Sequence, residues 1–156
     1  MISRIDVQKG VDLLIAVLPD ILSQDAAFVM LGAGNRETEA QLESIMSEFP
    51  QKAALRVGYD DRLAHLIEAG ADIFLMPSLY EPCGLNQMYS LRYGTVPVVR
   101  AVGGLDDTVR PYGPRSRRAN GFKFREATAD ALVKAVRLAL RTHRRPEKWD
   151  SLIREG

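Results

Sequence analysis

The chain has 156 residues, of which 46% are hydrophobic and 26% charged, and its formal net charge is +1. These values are ordinary for a globular domain that can bury a core. A nearly neutral chain has no overall field that would attract nucleic acid, and no apolar run approaches the roughly 20 residues that span a membrane. The single cysteine excludes an internal disulfide, so we expect a reducing, cytoplasmic location.

Helical and strand-like patterns alternate along the chain. Apolar periodicity and turn residues predict helices at 7–22, 37–49, 61–70, 88–93 and 128–140 with a short one after Pro146, and strands at 26–31, 53–57, 73–76, 96–99 and 121–124. Pro19 predicts a kink or break in the first helix, and the Pro-, Gly- and Arg-rich residues 110–120 predict a loop. This order predicts one α/β domain, with a Rossmann-like parallel sheet covered by helices on both faces.

The stretch at residues 77–87 lies between a predicted buried strand and a predicted helix. In an open parallel sheet such a turn lies at the carboxyl ends of the strands, where ligands bind, and the free N–H groups that open a helix favour an anion. Glu81 in this turn is suited to hydrogen bonding with the hydroxyls of a sugar. Cys83 has no histidine near it in sequence to activate a nucleophile, so a small, half-buried thiol is the favoured interpretation.

Cations and glycines near other strand ends are further candidates. Arg4 and Lys9 flank a predicted strand–helix junction and can hold a diphosphate, although position alone favours a solvated helix start. Tyr59 follows a strand and offers its ring either to a flat base or to packing. Gly103 and Gly104 allow a ligand to approach the backbone closely, and the alternative is a plain turn.

Two other ligand classes have weak support. Gly32 and Gly34 begin a dinucleotide fingerprint, but Glu37 stands in place of its third glycine, which favours a simple turn over a nicotinamide site. His65 and His143 are interpreted as packing or surface residues. No group of His, Cys and Asp residues has metal-ligand spacing, so the sequence predicts neither a metal nor a cofactor.

Several motifs in a fixed order carry a family resemblance. They are Ser-Arg-Ile at 3–5 with Gln-Lys-Gly at 8–10, Gly-Tyr-Asp at 58–60, Ala-Gly-Ala-Asp at 69–72, Glu-Pro-Cys-Gly-Leu at 81–85, Leu-Arg-Tyr-Gly-Thr at 91–95, and Gly-Gly-Leu at 103–105 with Asp-Thr-Val at 107–109. With them the chain resembles the C-terminal domain of bacterial glycogen synthases and starch synthases, which are retaining glucosyltransferases of the GT-B fold. Asn86 departs from the threonine that is usual in the family.

The resemblance implies catalytic roles for three side chains. Arg4 and Lys9 would bind the diphosphate of the donor and offset the charge that develops on the leaving group. Glu81 would hold glucose hydroxyls. Enzymes of this kind need no metal, because the two cations supply the electrostatic stabilisation.

The resemblance also implies a set of substrate-binding residues. They are Tyr59 against the base, Cys83 and Gly84 along the sugar, the backbone amides of Leu85 and Asn86 at the phosphate, and Gly103, Gly104 and Leu105 completing the sugar-phosphate pocket.

The reaction implied is transfer of glucose from ADP-glucose or UDP-glucose to the non-reducing end of an α-1,4-glucan, with retention. In this family the cleft is completed by an N-terminal domain with a Lys-x-Gly-Gly-Leu motif, and the 156 residues contain no such motif. We therefore expect residues 1–156 to form the donor-binding domain alone, inactive without its partner. A related retaining glycosyltransferase with another acceptor and a non-catalytic nucleotide-sugar-binding module are the alternatives.

Overall fold

The computed structural model describes residues 1–114, 116 and 118–156. A 3₁₀ helix (Val7–Lys9) is followed by α1 (Val11–Leu22), β1 (Phe28–Gly32), α2 (Arg36–Ser47), β2 (Ala53–Val57), α3 (Asp61–Gly70), β3 (Ile73–Met76), α4 (Asn86–Tyr93), β4 (Val96–Arg100), α5 (Gly103–Thr108), β5 (Phe122–Phe124), α6 (Ala129–His143) and α7 (Pro146–Arg154). The predicted α/β alternation is confirmed.

The strands pair in parallel, as predicted, but their hydrogen bonds form two sheets, β1–β2 and β3–β4–β5. Residues 1–5 lie along β1, where Ile2 bridges Leu31 and Ile5 bridges Gly34. Within the described part of the chain, no backbone hydrogen bond joins residues 1–5 to β3. The expected single sheet is therefore divided between β1 and β3.

A small apolar cluster fixes the ends of the strands that carry the candidate site. It comprises Phe74, Met76, Val99, Leu105 and Val109, all of them buried. Burying a side chain of this kind contributes about 1.5–3 kcal/mol. The larger core cluster lies between the sheets and the helices, and α1 packs against α6 within it. The small cluster therefore holds β3, β4 and α5 in fixed relation to one another.

One predicted helix boundary was wrong. The first predicted helix is interrupted at Gly10, while α1 continues through Pro19 to Leu22 without a break. Pro19 lacks the N–H that would bond to the Ile15 carbonyl, and buried Leu18 and Ile21 keep that turn packed in spite of the missing bond. Gly103 begins the short helix α5 where a turn was an alternative.

The predicted loop at residues 110–120 is closed by Asn120. The Arg110 N–H donates to Asn120 Oδ1 over 2.6 Å, and the Tyr112 N–H donates to the Gly121 carbonyl over 2.7 Å. Arg115 and Arg117, which belong to the same predicted loop, lie outside the described residues. Among the helices described, none is long and apolar enough to cross a membrane.

Candidate functional site

Lys9 and Glu81 form an ion pair at the carboxyl end of β3. The Lys9 ammonium lies 2.5 Å from Glu81 Oε2, although the two residues are 72 positions apart in the chain. The Ser78 hydroxyl donates to the same carboxylate oxygen over 3.2 Å. Glu81 is buried and is thus a carboxylate held by two donors.

The 3₁₀ helix delivers Lys9 to this point. Asp6 caps the helix by accepting the Lys9 N–H over 3.0 Å. The Leu79 N–H donates to the Gln8 carbonyl over 2.7 Å, which joins the helix to the loop after β3. Gly10 has φ = 69°, and a Cβ there would lie 2.1 Å from the Pro77 carbonyl oxygen. Glycine at this position therefore allows the close approach that brings Lys9 to Glu81.

Arg100, at the end of β4, holds the Glu81 loop from the other side. Its Nε donates to the Ser78 carbonyl over 2.8 Å, and its Nη2 donates to the Leu79 carbonyl over 2.6 Å. A guanidinium can donate several bonds in one plane, so a single side chain fixes two successive carbonyls. Arg100 was not among the site residues predicted from the sequence. Its position at a strand end, one strand away from the Glu81 loop, was the available signal.

Gln87 is the second residue that sequence reasoning missed. It is fully buried, and its Nε2 donates to the Cys83 and Gly84 carbonyls over 3.1 Å each and to Thr108 Oγ1 over 3.2 Å. Thr108 in turn donates to the Gly104 carbonyl. These bonds join the Glu81 loop to α5. The position of Gln87 two residues after the Glu-Pro-Cys-Gly-Leu motif was the available signal.

Gly103 and Gly104 lie against the backbone of the Glu81 loop. A Cβ on Gly103 would lie 2.1 Å from the Glu81 carbonyl oxygen, and one on Gly104 would lie 1.8 Å from the Cys83 carbonyl oxygen. The Gly104 N–H donates to the Glu81 and Pro82 carbonyls over 3.2 and 3.1 Å. The structure thus gives both glycines a packing role, and their predicted contact with a ligand stays a prediction.

Leu105 lies in the core of the site region. The whole residue is buried in the small apolar cluster with Phe74 and Val99, and its N–H donates to the Val102 carbonyl over 3.1 Å. Among the described residues, those lining the two cavities at this edge of the sheets do not include Leu105. Its predicted part in a sugar-phosphate pocket stays a prediction.

Cys83 differs from expectation because it is exposed. Gln87 holds the Cys83 carbonyl inward, and the next residue, Gly84, adopts φ = 67°. The loop therefore anchors this residue by its backbone and leaves the thiol at the surface instead of half-buried.

A cavity of about 100 Å³ surrounds the Lys9–Glu81 pair. Its polar and loop lining includes Lys9, Ser78, Glu81, Gly84, Leu85 and Asn86. The polar side chains of Lys9, Ser78 and Glu81 thus meet in this cavity, and the backbone of the Glu81 loop forms part of its wall. Polar side chains that converge in a cavity can form hydrogen bonds with the hydroxyls of a ligand.

A cavity of about 510 Å³ adjoins the smaller one, and the two share Ile2, Ser3 and Asn86. Tyr59, whose side chain is 91% exposed, lines the larger cavity together with Arg4. The Arg4 guanidinium is held 2.6 Å from Asp6 Oδ2 and 3.1 Å from Gln8 Oε1. The structure therefore places Lys9 and Glu81 together and places Arg4 and Tyr59 in the neighbouring cavity.

The start of α4 faces the wall that both cavities share. The Met88 and Tyr89 N–H groups are the first to bond back, both to the Leu85 carbonyl. Within the described residues, the N–H groups of Leu85, Asn86 and Gln87 have no partner, as expected at an uncapped helix start. The Asn86 side chain donates to the Ile2 carbonyl over 3.0 Å and so holds the N-terminal segment beside these amides.

Three titratable residues of α3 line the larger cavity: Asp61, which is exposed, His65 and Glu68. Burial raises the pKa of the Glu68 carboxyl, while His65 and the amino group of Met1 oppose that rise. His65 Nδ1 lies 3.2 Å from the Tyr93 hydroxyl, and the His65 ring centroid is 6.0 Å from those of Tyr89 and Tyr93. His65 is thus packed between aromatic rings, in agreement with its interpretation as a packing residue.

Comparison with known proteins identifies the family of this chain. The family described as glycosyl transferases group 1 matches residues 1–155. A glycogen synthase of Anaeromyxobacter sp. (strain Fw109-5) is 52% identical over all 156 residues, and one of Koribacter versatilis is 48% identical over the same length. The chain covers 33% and 32% of these two relatives, so it spans about a third of their length.

A solved structure shows the same fold. The catalytic domain of starch synthase IV from Arabidopsis thaliana, bound to ADP and acarbose, superposes with a TM-score of 0.91 at 34% identity, over 99% of this chain and 33% of that one. The parallel strands with helices on both faces correspond to one half of a GT-B glycosyltransferase. With the match over residues 1–155, the chain belongs to the glycosyl transferases group 1 family.

Proposed function

We propose that this chain is the donor-binding domain of a glycogen-synthase-type enzyme that transfers glucose from ADP-glucose to the non-reducing end of an α-1,4-glucan, with retention. The observation that carries this proposal is the juxtaposition of two cavities. The small one holds the Lys9–Glu81 pair, and the large one carries Tyr59. A nucleotide sugar has its parts in the same order, with sugar, diphosphate and base in a line.

In this assignment the sugar occupies the small cavity. The Glu81 carboxylate accepts hydrogen bonds from glucose hydroxyls, and the exposed Cys83 and the backbone of Gly84 lie along the same loop. Glu81 is already oriented by Lys9 and Ser78, so little further ordering is needed when the sugar binds.

The diphosphate lies between the cavities, beside the three free amides at the start of α4. Lys9 approaches it from the small cavity and Arg4 from the large one. As the bond to glucose breaks, negative charge grows on the departing phosphate, and fixed cations and amides that face it stabilise this transition state more than the ground state. Arg4 must exchange its contacts with Asp6 and Gln8 to take part.

The base stacks on Tyr59 at the exposed end of the large cavity. The choice of ADP rests on the similar starch synthase, whose structure was solved with ADP and with acarbose, an oligosaccharide. The acceptor glucan would bind across the cleft, on an N-terminal domain. The relatives are about three times as long as this chain, so they have room for such a domain. We propose a cytoplasmic enzyme, since its donor and its free thiol suit that compartment.

Calorimetry on the folded chain tests the donor site. We expect binding of ADP and ADP-glucose, weaker binding of UDP-glucose, and at least tenfold weaker ADP binding by Lys9→Ala, because an ion pair with phosphate is lost. Lys134→Ala is the matched control, since Lys134 forms an exposed ion pair with Asp130 on α6. Absence of nucleotide binding, or ADP binding that Lys9→Ala leaves unchanged, would refute the site.

A donor-plus-glucan assay tests the dependence on a second domain. We expect no glucose transfer by residues 1–156 alone, because half a cleft neither excludes water nor positions an acceptor. Measurable transfer by the isolated chain would contradict this part of the proposal while leaving the donor site intact.

A further inference from the structure

The larger cavity contains a buried carboxyl to which the mechanism above gives no role. Glu68 lies near the end of α3, its residue is 2% exposed, and it lines the cavity of about 510 Å³ that Tyr59 also lines. Asp60 and Asp61, the other carboxylates of this cavity, are exposed, and Asp60 already accepts the Leu63 N–H. Glu68 is therefore the buried acidic group of the cavity.

No hydrogen-bond donor among the described residues reaches the Glu68 carboxylate. The His65 Nδ1 atom lies 3.7 Å from Glu68 Oε2, which is too far for a hydrogen bond, and the same nitrogen is 3.2 Å from the Tyr93 hydroxyl. Burial of a carboxylate without a donor is unfavourable, and the raised pKa of Glu68 has burial as its main cause. Glu81, by contrast, receives donors from Lys9 and Ser78.

A ligand that donates a hydrogen bond to a buried carboxylate without a donor should stabilise that carboxylate. We propose that Glu68 accepts a hydrogen bond from the nucleoside part of the donor substrate, and so acts as a specificity-determining residue of this site. This inference rests on the proposed function. The donors of adenosine are its exocyclic amino group and its 2′- and 3′-hydroxyls, and the Glu68 oxygens accept equally well from any of them.

The test compares Glu68→Met, which keeps the length of the side chain and removes the acceptor, with the wild-type chain. Glu43→Met, on the exposed face of α2, is the matched control. Calorimetry uses ADP, 2′-deoxy-ADP, 3′-deoxy-ADP, inosine diphosphate and inorganic pyrophosphate, and thermal denaturation checks that each variant is folded.

We expect Glu68→Met to bind ADP about tenfold more weakly or worse, the effect of one hydrogen bond to a charged group. Pyrophosphate binding should stay within about twofold of wild type, since the phosphate groups lie away from Glu68. One of the three nucleotide analogues, 2′-deoxy-ADP, 3′-deoxy-ADP or inosine diphosphate, lacks the group that donates to Glu68. Wild type and Glu68→Met should bind that analogue with equal affinity, as in a double-mutant cycle.

Three results would overturn this inference and leave the proposed function intact. They are unchanged ADP binding by Glu68→Met, an equal loss for ADP and pyrophosphate, which marks a structural role, and a loss that persists with all three analogues. A wild-type chain that is folded and binds no ADP would instead overturn the proposed function, and this inference with it.

Discussion

Glu68 and Glu81 are two buried carboxyl groups in neighbouring cavities, and the fold treats them differently. Glu81 is held by the Lys9 ammonium at 2.5 Å and by the Ser78 hydroxyl, whereas the described residues give Glu68 no hydrogen-bond donor, with His65 at 3.7 Å. Burial raises the pKa of Glu68, and His65 and the amino group of Met1 oppose that rise. The contrast shows that two buried carboxyl groups differ by the donors that the surrounding loops supply, which fix Glu81 and leave Glu68 without a donor.

The largest expected effect comes from a substitution that disturbs the packing of α5 against the Glu81 loop. In Gly104→Ala the new Cβ would lie 1.8 Å from the Cys83 carbonyl oxygen, so backbone must move. We expect a loss of about 3 kcal/mol in the free energy of unfolding and loss of ADP binding, measured by denaturant titration and calorimetry.

Gly70→Ala is the matched control for that change. A Cβ on Gly70, at the end of α3, meets nothing within 4 Å, so its stability should be unchanged or slightly higher. Equal effects of the two substitutions would show that the packing of Gly104 on the loop is unimportant.

Removing the partner of Glu81 should make it resemble Glu68. Lys9→Met leaves Glu81 buried with the Ser78 hydroxyl as its remaining donor. We expect a loss of about 2 kcal/mol, less than for a fully buried pair because the Lys9 side chain is 21% exposed. Chemical denaturation of the two single variants and of Lys9→Met/Glu81→Gln measures the coupling.

The double variant should recover most of the stability lost in Lys9→Met, because the unpaired charge is gone. If the two single effects simply add, then the ion pair makes no net contribution and the contrast with Glu68 rests on burial alone.

How much of this site the sequence predicts depends on the range of the interactions. Glu81 was chosen from a local pattern, a carboxylate in the turn after a strand. Position alone favoured a solvated helix start for Lys9, and its role in the site came from the family resemblance. Parallel topology brings such strand ends to one edge of the sheets. The roles of Arg100 and Gln87 depend on side chains that reach across loops, and no periodicity encodes those contacts. The exposure of Cys83 was missed for the same reason.

The fold was predicted well where apolar patterns are strong, and less well at glycines. Gly10 interrupts the first predicted helix because the Pro77 carbonyl lies against it, a neighbour 67 positions away that no local reading reveals. Gly103 and Gly104 were predicted to let a ligand approach the backbone; a Cβ at either position would meet the backbone of the Glu81 loop, and their contact with a ligand stays a prediction. A glycine indicates that another group lies close to the backbone, but the sequence does not identify that group.

The smallest expected effect concerns the pH dependence that Glu68 confers. Its pKa is raised above the ordinary value of 4.5, so above that pH the folded chain retains a proton that the unfolded chain releases. Stability from this group is therefore full below about pH 4.5 and is lost as the pH rises through the raised pKa. The Glu68→Gln variant has no carboxyl at this position, so it does not lose stability in this way as the pH rises.

Melting temperatures of wild type and Glu68→Gln, measured from pH 4 to pH 7, should consequently diverge as the pH rises, with the variant gaining relative to wild type. His65 and the amino group of Met1 also act on Glu68, and Glu68 in turn raises the pKa of that amino group, so the difference reports the Glu68 carboxyl together with its effect on Met1. Glu43→Gln, on the exposed face of α2, should show no such divergence. A constant difference across the range would mean that the structure supplies Glu68 with a donor after all, and the contrast with Glu81 would then disappear.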